Sequence, residues 1–111
     1  MKRKSVYPYT VKEPPGHNVH MLRNSREWSQ RELGDRCSPP LDHTTIRRLE
    51  RNLGFTQDTL SRVSKALGVQ DYELWLPAEL APWISLPPAA KRRVAEYIRI
   101  EAQAARHTQE T

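Results

Sequence analysis

The 111 residues are 37 % apolar and 28 % charged, room for one small helical domain with appendages but not for a second core. Eighteen Lys and Arg against thirteen Asp and Glu leave a net charge of +5, a balance that favours polyanionic partners. The lone cysteine, Cys37, excludes an intrachain disulfide, and no apolar run approaches the length of a signal core or a membrane span, so a reducing, cytoplasmic setting away from membranes is expected.

Residues 1–17 carry four bases, Lys2, Arg3, Lys4 and Lys12, against Glu13, a net +3. Tyr7-Pro8-Tyr9 and Pro14-Pro15-Gly16 in the same stretch resist helix formation, so a loose basic arm is predicted, with a short edge strand from Val6 to Val11 as the alternative. Such an arm has the charge to touch phosphates or the minor groove. A first helix is expected from Asn18, as its N-cap, to Arg26, turning Val19, Leu22 and Met21 inward. Ser29 and Glu32 have capping-box spacing at the start of a second helix, and Trp28 before the cap can staple onto Leu33. That helix stops near Cys37, because Ser38-Pro39-Pro40 cannot continue it.

Asp42 is the natural N-cap of a third helix. At 100° per residue Thr45, Ile46 and Leu49 share one side of it, while Thr44, Arg47, Arg48 and Arg51 share an arc of about 100° on the other. Residues 43–53 carry three arginines against Glu50, a net +2, whereas residues 54–86 carry two bases against four acids, a net −2. A fourth helix from Thr56 or Gln57 buries Leu60, Val63 and Leu67 and ends at Gly68, and a short fifth follows over residues 71–76. Trp75, Leu76, Leu80, Trp83 and Ile84, among Pro77 and Pro82, make an apolar connector over 77–86 expected to dock on the bundle. A last helix over 87–106, ahead of a tail at 107–111, sets Ala90, Val94, Tyr97, Ile98, Ala104 and Ala105 against Arg92, Glu96, Arg99, Gln103 and Arg106. Glu101 interrupts its apolar arc.

Two short helices around a turn, the second with a cationic outer face, meet the physical requirements of a major-groove reader: a helix narrow enough for a groove about 12 Å wide and exposed side chains that donate to base edges. Gly34 inside the second helix costs about 1 kcal/mol relative to alanine, which points to a close crossing of the third helix there. An arginine edge-on to guanine is worth about 1–3 kcal/mol of discrimination, so Arg47 or Arg48 is the specificity determinant of choice.

Trp28-Ser29-Gln30-Arg31-Glu32-Leu33, Thr45-Ile46-Arg47-Arg48-Leu49-Glu50-Arg51 and Thr59-Leu60 through Lys65-Ala66-Leu67-Gly68-Val69, in that order, resemble the lambda-repressor and Cro-like (xenobiotic-response-element, XRE) helix-turn-helix family over residues 18–76. The resemblance implies an all-α fold, a five-helix lambda-repressor-like bundle, here with an N-terminal arm and an added C-terminal helix. It implies that His43, Thr44, Arg47 and Arg48 lie against base edges of double-stranded DNA, and that Gln30, Thr45, Arg51 and Asn52 sit near its backbone. Glu50 in that family supports the fold. The chain departs from the pattern between the second and third helices, where Ser38-Pro39-Pro40-Leu41 replaces the glycine of a turn about two residues shorter.

Other constellations are weak. His17 and His20 have ligand-like spacing but lack companions to complete a metal site, Cys37 falls where the second helix needs a small core residue, and no phosphate loop, nucleophile elbow or carboxylate pair suggests an enzyme or a cofactor. The expected function is a transcriptional regulator, a repressor, forming a homodimer through the last helix; the alternative for that helix is to fold back on its own domain. Rival readings are an antitoxin that binds a toxin through residues 1–16 or 77–111, a protein-interaction module on the same fold, and a ligand-responsive sensor.

Overall fold

The computed structural model describes residues 11–110, so the basic run Lys2-Arg3-Lys4 and most of the alternative edge strand lie outside the described residues. The described residues form α1 (Gly16–Ser25), α2 (Gln30–Arg36), α3 (His43–Glu50), α4 (Gln57–Leu67), 3-10 helices at Asp71–Trp75 and Ala78–Ser85, and α5 (Pro88–Glu110), with no strand among them. The chain divides after Ala81 into two compact units.

In the first unit, apolar residues at helical spacing converge on one core. Val19 and Leu22 of α1, Leu33 of α2, Ile46 and Leu49 of α3, and Leu60, Val63 and Leu67 of α4 are buried together with Cys37 and Leu74. Cys37 Sγ donates to the Leu33 carbonyl and burial pushes its thiol pKa up, which fits a small core residue. The capping box of α2 is complete: Ser29 Oγ accepts from Glu32 N at 3.0 Å and Glu32 Oε1 accepts from Ser29 N at 2.7 Å. Thr56 caps α4 by accepting from Thr59 N, and Gly68 ends it at φ +75°, where a Cβ is penalised. Asp71 ties the first 3-10 helix to α4 by accepting from Ser61 Oγ and Ser64 Oγ, hydrogen bonds that hold its carboxyl below the usual carboxylate range.

The start of α1 differs from expectation. The helix begins at Gly16 behind Pro15, and Asn18, expected as the N-cap, is 1 % exposed, with Nδ2 donating to the carbonyls of Leu74 and Leu76. Pro14-Pro15 turns the chain earlier, and Gly16 lets it press against α3: a Cβ there would lie 2.4 Å from the Glu50 carbonyl oxygen. Residues 11–15, expected as part of the arm, belong to this start, since His17 Nδ1 lies 3.0 Å from the Val11 carbonyl and Pro15 is buried. Met21, expected inward, is exposed because its arc lies beyond the Val19–Leu22–Arg23 stripe.

Gly34 marks a close approach, but of a different neighbour. A Cβ there would meet the Leu41 carbonyl oxygen at 2.1 Å, whereas Ile46 of α3 stands at an ordinary 3.6 Å. The glycine admits the connection rather than the helix, and its own carbonyl accepts from Cys37 N and Leu41 N, folding Ser38-Pro39-Pro40 back on α2. The connector expected at 77–86 is partly a 3-10 helix; Ile84 is buried, while Leu80 and Trp75 are about half exposed. In the second unit α5 runs past the expected residue 106, with Tyr97, Ile98 and Ile100 all exposed.

Candidate nucleic-acid interface

Asp42 caps α3 by accepting from Thr44 N at 3.0 Å, and the Thr44 hydrogen bonds hold its carboxyl below the usual range. The apolar period then decides what faces out. Ile46, Leu49 and Glu50 turn inward, Arg47 and Arg48 stand exposed, and His43, Thr44, Thr45, Arg51 and Asn52 are half-buried. Thr44, Arg47 and Arg48 therefore share the outer side of one short helix. Among the described residues nothing hydrogen-bonds or ion-pairs with the Arg47 side chain. His43 Nδ1 lies 3.6 Å from Asp42 Oδ1 at the N-terminal end of the same face.

Two expected contact residues are held within the fold. Arg48 Nη2 donates to the Leu53 carbonyl at 2.8 Å, and Leu53 N donates back to the Arg48 carbonyl at 2.9 Å, closing the turn after α3. Asn52 sits in the left-handed region at φ +55°, which Asn tolerates better than most residues. Its Oδ1 accepts from Gly16 N at 2.9 Å and its Nδ2 donates to the Glu13 carbonyl at 3.0 Å, so its amide staples the entrance of α1 to the end of α3.

Beneath this face lies a charge network. Arg23 and Glu50, 9 % and 6 % exposed, form a two-pronged ion pair in which Nε donates to Oε2 and Nη2 donates to Oε1 at 3.0 Å. Gln30 Nε2, at the first position of α2, donates to Glu50 Oε1 at 3.1 Å, and His20 Nδ1 stands 3.1 Å from the same oxygen. Burial alone would push the Glu50 carboxyl up; the hydrogen bonds and charge of Arg23, with those of Gln30 and His20, outweigh it and hold the group below its ordinary value. Arg23 Nη1 also donates to the Trp28 carbonyl, so one carboxylate and one guanidinium join α1, α2 and α3. Arg23 was not foreseen as a structural residue, yet a signal exists. A charge at spacing i, i+4 on the Val19–Arg23 stripe and another on the Ile46–Glu50 stripe each require a buried counter-ion.

His17 and His20 point to different partners, Val11 and Glu50, and the described residues hold no group of three or more His, Cys, Asp or Glu suited to a metal ion. No helix among them is long and apolar enough to cross a membrane. The surface chemistry is thus that of polar and cationic donors on a helix held by its neighbours, suited to anionic groups and base edges.

A helix-turn-helix family model matches residues 19–74, just over half of the chain. A crystal structure described as a hypothetical transcription factor, NHTF, from Neisseria is 27 % identical, with a TM-score of 0.55, covering 70 % of this chain and 91 % of that one. No curated protein sequence matches the chain.

Proposed function

Because the chain belongs to the lambda-repressor-like (XRE) helix-turn-helix family, a family of DNA-binding regulators, we propose that it is a sequence-specific transcriptional repressor, not an enzyme, that lays α3 in the major groove. The observation that carries this reading is the exposed Arg47, standing between Thr44 and Arg48 on the outward side of a helix whose other side is sealed into the core. Arg47 is the principal base reader, with His43, Thr44 and Arg48 beside it; Arg48 shares its guanidinium with the Leu53 carbonyl. Thr45 and Arg51 face the phosphate backbone, and Gln30 adds its backbone N–H at the start of α2, its side-chain amide being committed to Glu50. Asn52 contributes by fixing the end of α3, since both ends of its amide are engaged.

A homodimer paired through α5 would set two reading helices about one DNA turn apart and occlude promoter DNA. Duplexes selected from a randomised pool, titrated against the full chain by fluorescence anisotropy, test the reading. Specific, salt-sensitive binding that Arg47→Ala reduces toward the non-specific level is expected. Equal affinity for selected and random duplexes would overturn it.

A further inference from the structure

The carboxylate that opens α3 is more than a cap requires. Asn and Ser cap a helix about as well as Asp, yet Asp42 sets a negative charge at the end of the helix that the proposed function lays between phosphate backbones. Its side chain is 65 % exposed, and the cap occupies only part of it. Oδ2 accepts from Thr44 N at 3.0 Å, while Oδ1 lies 3.6 Å from His43 Nδ1, beyond hydrogen-bond reach. A carboxylate offers about four acceptor sites, so acceptor capacity is left over. The hydrogen bonds of Thr44 come first in keeping the group ionised, followed by the charges of His43 and of Arg31 in the first turn of α2. Arg31 also offsets part of the repulsion between this carboxylate and phosphate.

An exposed carboxylate at that place has a narrow range of chemistry. The N-terminal residues of a helix lying in the major groove are the ones that reach base edges. There guanine and thymine present oxo acceptors, whereas cytosine N4 and adenine N6 present amino donors. An ionised carboxylate only accepts, so it pairs with the amino group and is repelled by the oxo group. Arg47, five residues on, only donates. The two positions therefore ask for opposite base edges.

We propose that Asp42, besides capping α3, is a base-reading residue that selects cytosine or adenine on the strand facing the start of that helix. The proposal rests on the reading of α3 as the major-groove helix and adds the sign of its specificity at one end. Fluorescence anisotropy of the full chain against the selected duplex and its single-base variants tests it, with thermal melting to verify that each protein variant folds. At one position, distinct from the one that Arg47→Ala affects, the wild type should prefer cytosine or adenine over guanine or thymine by about tenfold or more. Asp42→Asn keeps the cap, its one oxygen accepting from Thr44 N, and puts an amide donor in place of Oδ1. The preference should then pass to guanine or thymine at a nearly unchanged Tm. Asp42→Ser caps but falls short of the base and should level the preference. Removing the amino group alone, with purine in place of adenine or pyrimidin-2-one in place of cytosine, should weaken the wild type about tenfold and leave Asp42→Ser unaffected. Base preferences identical in all three proteins, or affinities altered equally at every position, overturn the proposal and leave Asp42 a cap. If the wild type instead binds selected and random duplexes alike, the reading of α3 falls with it.

Discussion

Glu50 accepts from Arg23 and Gln30 and adjoins His20, while its backbone carbonyl lies against Gly16, so substitutions here act through burial and counter-charge. Glu50→Gln keeps the shape but leaves Arg23 buried without its counter-ion, and a loss of about 3–5 kcal/mol in urea unfolding is expected. The carboxyl's pKa is lowered on folding, so its contribution is complete above the unfolded value of about 4.3 and is lost as the pH falls through the lower folded value. The stability gap between wild type and Glu50→Gln should therefore close in acid; a gap constant from pH 6 to pH 2 would show that the charge is irrelevant. Steric demands are as local. Gly34→Ala sets a methyl group on the Leu41 carbonyl and should cost about 1–3 kcal/mol, with Gly16→Ala behaving alike against Glu50. An unchanged denaturation midpoint for either would refute that contact.

Along α3 the two exposed arginines should separate in their effects. Arg47→Ala is expected to lose about 1–3 kcal/mol of preference for the cognate duplex at an unchanged Tm. Arg48→Ala also removes the hydrogen bond to Leu53 and should lower stability by about 0.5–1.5 kcal/mol before any DNA is added. Indistinguishable melting curves would return Arg48 to a purely DNA-facing role. This element was legible in advance because its capping aspartate, apolar period and arginine arc are local patterns, as were the capping box of α2 and the glycine end of α4. What sequence reading missed depends on contacts between segments far apart in the chain. Asn18 has the residue type of a cap but serves the Leu74 and Leu76 carbonyls, and Asn52 looks like a surface donor but clasps Glu13 and Gly16. Residue type announces a hydrogen-bond need, and only the assembled core says where it is met.

At the scale of the molecule, charge and association set the measurable behaviour. Operator affinity should fall steeply with salt, by a slope that Gln30→Ala leaves nearly unchanged and Arg51→Ala makes shallower by about one ion if Arg51 reaches a phosphate. A chain ending at Ser85 should sediment as a monomer and bind an operator more weakly; an unaltered mass would eliminate α5 as the pairing element. The clasp of α1, α2 and α3 around one buried carboxylate has a final consequence for recognition. On the proposed reading, three helices tied at a single point would present the arginine face to a duplex as one unit, so that adjustment on binding would fall to the DNA. Bases never touched should then influence affinity through the ease with which they deform, and replacing a flexible TA step between half-sites with a rigid A-tract should alter binding although every contacted base is retained.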